Sequence, residues 1–92
     1  MLLITGRARP FDVARDRLVA AALTISEATQ DDDGCLSYTF AAALDSDEIV
    51  SVELWRDRAA LEAHMSHAHT QRFLAALDGV LDGAPVMQET EL

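Results

Sequence analysis

Proton chemistry near neutral pH calls for an imidazole, and this 92-residue chain carries three of them, His64, His67 and His69, in one short stretch. His64 follows Leu61 by three positions, which puts the two on one helical face and turns the ring inward. There a neutral imidazole could accept a proton from a bound substrate, and a satisfied interior histidine fits the placement equally well. A cluster of imidazoles also suggests a metal. Helical metal ligands, however, sit four apart beside a carboxylate, as in His-Glu-x-x-His, whereas the steps here are three and two. No metal site is expected, and His67 reads as the polar, partly exposed start of a further helix.

Tyr38 and Trp55 each join a flat apolar body to a polar tip, as a pocket for an aromatic ligand requires, and core packing would use the same two residues. Glu53 shares a strand face with Trp55. If that face is covered by a partner chain, the carboxylate needs a mate there, and Arg7, Arg9 and Arg72 are the candidates for a structural ion pair. Cys35 is the one cysteine, so no internal disulfide can form. With Asp33 nearby and no adjacent cation, its thiol is not activated, and packing is its expected role. The sequence has no phosphate-binding glycine loop, no paired cysteines and no Gly-x-Ser-x-Gly turn, which leaves nucleotide and acyl-transfer chemistry unsupported.

Seven basic residues, all of them Arg, face sixteen acidic ones, and the resulting net charge of −9 repels phosphate backbones and anionic lipid heads. Neither nucleic acid nor a membrane surface is an expected partner. The first residues offer only Leu2, Leu3 and Ile4 before Gly6 and Arg7, short of the roughly 7 to 15 apolar residues of a secretory signal. No window approaches the run of about 20 apolar residues that spans a bilayer, so the expected location is cytoplasmic.

The elements that must position these side chains follow from periodicity. Leu2 to Arg9 reads as a strand stopped by Pro10. Ala14, Leu18, Ala21, Ile25 and Ala28 then recur at three- and four-residue steps, an amphipathic helix with Asp12 as its expected N-cap. The polar run Gln30 to Asp33 and Gly34 end it. Cys35 to Ala42 alternates with Leu36, Tyr38 and Phe40 on one face, and Ile49 to Trp55 alternates with Val50, Val52 and Leu54 opposite Ser51, Glu53 and Trp55. These two strands make a hairpin around Asp45, Ser46 and Asp47. Asp57 caps a short helix bearing Leu61 and His64; Ser66 restarts it, and a stripe of Phe73, Leu77 and Val80 or Leu81 runs on to Gly83. Pro85 to Glu91 closes the order strand, helix, strand, strand, helix, strand.

That order is the split βαβ arrangement: an α+β, ferredoxin-like, four-stranded antiparallel sheet with helices on one face, in a single domain over residues 1–92. The other face lacks cover. Half of the residues are apolar, more than one thin core of this length hides, so a homodimer packed sheet to sheet is expected.

The stretch Glu53-Leu-Trp55-Arg-Asp57-Arg-Ala-Ala-Leu61-Glu-Ala-His64, followed by His69 and Phe73, resembles the signature of the antibiotic biosynthesis monooxygenase family. Asp33-Gly34-Cys35-Leu36-Ser37-Tyr38 is similar to that family's second strand. The resemblance implies a dimeric α+β barrel with a pocket between helices and sheet. It also implies oxygenation of hydroquinones, anthrones and similar electron-rich aromatics with molecular oxygen and no cofactor, because such a substrate, once deprotonated, can itself hand an electron to oxygen. His64 would be the base or an orienting group, with Tyr38, Phe40 and Trp55 as pocket walls and His69 and Arg72 at the ligand. Haem-degrading relatives use an Asn, a Trp and a His at places that correspond here to Gly6, His64 and Leu74, so haem degradation is not expected. A non-catalytic dimer that binds a small molecule, or an isomerase of a small metabolite, are the alternatives on the same fold.

Overall fold

Strand pairing sorts every side chain of the sheet onto one of two unlike faces. The computed structural model describes residues 1–92, in which β1 (Leu2–Ala8), β2 (Cys35–Ala42), β3 (Ile49–Trp55) and β4 (Val86–Glu91) form one antiparallel sheet in the order β2-β3-β1-β4. A 3₁₀ turn, Asp12–Ala14, leads into α1 (Arg15–Thr29). Between β3 and β4 lie α2 (Arg58–Ser66) and α3 (Ala68–Ala76). The expected α+β ferredoxin-like order is the observed one, with the second helix interrupted at His67, whose backbone is extended. No helix is long and apolar enough to cross a membrane.

Register fixes the two faces. Ile4, Glu53 and Tyr38 stand side by side, as do Gly6, Ser51 and Phe40, and these rows look toward the helices. Leu3, Leu54 and Ser37, then Thr5, Val52 and Thr39, then Arg7, Val50 and Ala41 look away. Glu53 and Trp55 therefore lie under this chain's own helices, not on the face left for a partner as one sequence reading had it. The uncovered face belongs to Val50, Val52 and Leu54.

Two further expectations are corrected locally. A bulge between Cys35 and Ser37 sets Cys35 opposite Trp55 and leaves Leu36 exposed, off the face that Tyr38 and Phe40 share. Asp12 makes no capping hydrogen bond, because α1 is entered through the 3₁₀ turn. Asp57, by contrast, caps α2 as expected, its Oδ1 accepting from the Ala60 N–H at 2.9 Å.

Following Ala14 of the 3₁₀ turn, the buried stripe of α1 is Leu18, Ala22, Ile25 and Thr29, one position on from the expected Ala21 and Ala28 at two of its steps. Its residues divide between two clusters. Ile25 packs with Leu2, Ile4, Tyr38, Trp55 and Ala60, while Ala14 and Leu18 pack with Ile49 and Val80. Phe40 touches both clusters, and the space between them is a cavity lined from each side.

Gly34 turns the chain from α1 into β2 with φ +78°, and a Cβ there would lie 2.5 Å from Ala60 Cβ on α2. Gly79, with φ +71°, has nothing within 4 Å. Both alanine variants should bear the left-handed penalty of about 1 to 2 kcal/mol, and Gly34→Ala should add an overpacking term of about 1 to 3 kcal/mol. Gly34→Ala should thus melt several degrees below Gly79→Ala; equal melting temperatures would remove the clash as the reason for glycine at position 34.

Candidate active site

Asp57 fixes the start of α2, so Ala60 and His64, one turn apart, both face β3. His64 is 2% exposed, its ring centroid 4.7 Å from that of Trp55 and 5.4 Å from that of Tyr38. Toward this ring the loop after α1 delivers Asp32. The loop is held by its own backbone, Asp32 N–H donating to Thr29 O and Cys35 N–H to Asp32 O, each at 3.0 Å.

Asp32 Oδ2 lies 2.8 Å from His64 Nδ1 and 3.0 Å from His69 Nε2, with its side chain only 7% exposed. An ionised carboxylate can only accept, so both ring nitrogens are donors here. Burial alone would raise the Asp32 pKa, but the hydrogen bonds from His64 and His69 outweigh it and hold the carboxyl below its usual range. Burial pushes the His64 pKa down, against the opposing pull of Asp32. The pair is therefore a carboxylate beside a neutral imidazole with its proton on Nδ1. That leaves Nε2 as a bare lone pair.

His64 Nε2 has no hydrogen-bond partner in the chain, and it is not sealed off either: Thr29 Oγ1 is the one fully buried side-chain polar atom without a partner. The ring lines a cavity of about 450 Å³ between helices and sheet, well sized for a small aromatic molecule. Tyr38 and Phe40 supply aromatic wall, and Ser51, Glu53 and Thr70 supply polar points. Exposed Pro85, Met87 and Glu89 border it, so it opens along β4. Burial, with Glu53 and Cys35 adding to it, pushes the Tyr38 hydroxyl pKa up, so this wall stays protonated.

The expected site residues separate into three groups. His64, Tyr38 and Phe40 come together at the cavity. Trp55 is fully buried behind His64 and His69 is turned to Asp32, so neither forms cavity wall. Arg72 is exposed on α3, away from the cavity, which corrects its assignment to the ligand. The ion pair expected for Glu53 is also corrected: Trp55 Nε1–H donates to its Oε1 at 3.0 Å, whereas Arg7 and Arg9 pair with Glu48 and Asp47 beside the β2–β3 turn.

Sequence reasoning missed Asp32, which it placed in a polar turn. The one available signal was that inward-facing imidazoles need an acceptor and that an acidic run stands just before β2. Asp32, His64 and His69 also bring three potential metal-ligand atoms within 4.8 Å of one another. Two donors at hydrogen-bond length on one oxygen are the geometry of a proton-bound cluster. A metal with bonds of about 2.1 Å would have to displace the Nδ1 proton and spread the three groups.

A family model described as antibiotic biosynthesis monooxygenase matches residues 1–76. No protein of curated function matches the chain. Among solved structures, Rv0793 from Mycobacterium tuberculosis is 26% identical with a TM-score of 0.95, over 99% of this chain and 93% of that one. A crystal structure of an antibiotic biosynthesis monooxygenase is 22% identical with a TM-score of 0.92, over 100% of this chain and 98% of the other. PA3566 from Pseudomonas aeruginosa is 21% identical with a TM-score of 0.89, over 97% and 90%. The last two likenesses speak for the fold alone.

Nitrogen NMR of the imidazoles checks the cluster. His64 should show the Nδ1–H tautomer and titrate below the ordinary histidine value of about 6.5. Asp32→Asn removes the charge that favours imidazolium, so the midpoint should fall further, with a stability loss of about 1 to 3 kcal/mol. A midpoint that is unchanged or raised in Asp32→Asn would show that the carboxylate does not act on His64.

Proposed function

The chain belongs to the antibiotic biosynthesis monooxygenase family, and on that premise we propose that it is a cofactor-independent monooxygenase of electron-rich aromatics such as hydroquinones or anthrones. The observation that carries the reading is the bare Nε2 of His64, its tautomer set by Asp32, at the wall of a largely apolar cavity. A substrate hydroxyl within hydrogen-bond reach of Nε2 gives up its proton there. Asp32 then stabilises the imidazolium through Nδ1–H.

The substrate anion is the electron donor to oxygen, so the protein's own part is to bind it, take the proton and keep water out. Tyr38 and Phe40 suit a flat ring. Glu89 at the border, with the net charge of −9, disfavours an anionic ligand. A second reading, metal-dependent chemistry at Asp32, His64 and His69, has the closeness of those three ligand atoms in its favour. Its signature is stoichiometric metal in the purified protein and activity lost on chelation.

We further propose a homodimer through the outer face of the sheet, where Leu3, Val50, Val52 and Leu54 stand without helices over them. Val52, at the middle of that face, is 39% exposed in the single chain. Sedimentation of the wild type should give the dimer mass, and Val52→Arg should shift it toward monomer. A wild type that stays monomeric at micromolar concentration removes the sheet-to-sheet assembly.

Oxygen uptake by metal-free protein over a panel of hydroquinones and anthrones tests the chemistry. His64→Ala should lower kcat about 10²- to 10⁴-fold. For the wild type, kcat/KM should rise with pH along one limb whose midpoint lies below about 6.5, because only neutral His64 can take the proton. Absence of turnover in the wild type, or equal turnover in His64→Ala, would leave the binding-only alternative.

A further inference from the structure

Glu53 occupies the middle of β3 on the helix-covered face and is 8% exposed, with no basic side chain paired to it. Its one hydrogen bond is the Trp55 Nε1–H to Oε1 at 3.0 Å. Oε2 has no partner, and like His64 Nε2 it is not sealed, since Thr29 Oγ1 is the only fully buried side-chain polar atom left unpartnered. Both Glu53 and His64 line the same cavity. A buried, unpaired carboxylate is several kcal/mol unfavourable, whereas a neutral carboxylic acid in the same place is far less so.

The oxygenation of an anthrone-type methylene needs such a group after oxygen has added. Proton loss from the methylene and oxygen addition give a ring hydroperoxide once the His64 proton returns to the peroxide. The carbon still holds one hydrogen. To reach the ketone, that C–H bond breaks and its electron pair becomes the second C–O bond, while the O–O bond breaks and its outer oxygen leaves. His64 takes the C–H proton; the departing oxygen needs a proton to leave as water. One oxygen atom ends in the ketone and the other in water, and the methylene carbon has supplied the four electrons.

We propose that Glu53 is the general acid of this dehydration, giving its Oε2 proton to the outer peroxide oxygen while Trp55 holds Oε1. Once the product has left and water enters the cavity, the His64 imidazolium gives up its proton to solvent and the Glu53 carboxylate regains one from it. This assignment rests on the oxygenase reading and extends it from the first proton transfer to the last. Burial, only partly offset by the Trp55 hydrogen bond, raises the Glu53 pKa and so favours the protonated form that the role requires.

The variant Glu53→Gln keeps an acceptor for Trp55 and removes the acid. With anthrone, quinone formation should fall about 10²-fold or more, and rapid quenching should recover a ring hydroperoxide in amounts comparable with the protein. His64→Ala should accumulate none. Quinone formation at the wild-type rate in Glu53→Gln, or a lost rate without hydroperoxide, would overturn the acid role. Infrared difference spectra of wild type against Glu53→Gln, without substrate, should show a protonated carboxyl band persisting well above the ordinary Glu range. An ionised Glu53 at the working pH would overturn the proposal independently of turnover. Failure of the oxygenase reading shows differently, as a wild type that takes up no oxygen, and it removes this role as well.

Discussion

A single carboxylate oxygen, Asp32 Oδ2, ties together the loop after α1, the end of α2 and the start of α3. On an unbroken helix His69 would sit about 140° around the axis from His64, and the two rings could not address one atom. The extended backbone at His67 resolves this by resetting the direction of the chain between α2 and α3. The interruption is therefore part of the site, and the tautomer of His64 is set by tertiary structure more than by its own helix.

Two buried carboxyl groups then have opposite preferences within one small domain. Asp32 receives two ring N–H donors and is held ionised; Glu53 receives one indole N–H and otherwise borders a largely apolar cavity, so burial drives it toward its neutral form. Trp55 connects them sterically, donating to Glu53 on one side and packing against the His64 ring on the other. With no exposed surface, Trp55 is fixed by packing and holds both neighbours in place.

Alternation made much of this legible. Tyr38 with Phe40, and Glu53 with Trp55, share faces because a strand permits nothing else, and the α+β order followed from where period two gives way to period 3.6. Three things were hidden. Leu36 obeys the alternation on paper, but a bulge adds a residue that pattern cannot reveal. Which face of β3 the helices cover was ambiguous because both faces carry apolar residues. Asp32 is one of three consecutive aspartates, and only the fold distinguishes the one aimed inward, where Asp31 and Asp33 stay in solvent. Arg72 failed for a related reason: α3 ends soon after it, and its face of that helix looks outward.

Gly6, His64 and Leu74, which the family resemblance set against the working residues of haem-degrading relatives, all line this one cavity. Gly6 has no side chain to offer, and a Cβ there would lie 2.6 Å from Ser51 Oγ and 2.8 Å from Met87 Sδ. Leu74 has no donor atom for iron. What the cavity retains is a base with a fixed lone pair and, across from the helices on β3, a carboxyl that burial keeps reluctant to ionise. Such a pair can remove a proton from one atom of a bound ring system and return one to another, which is the demand of a reaction whose electrons come from the substrate itself.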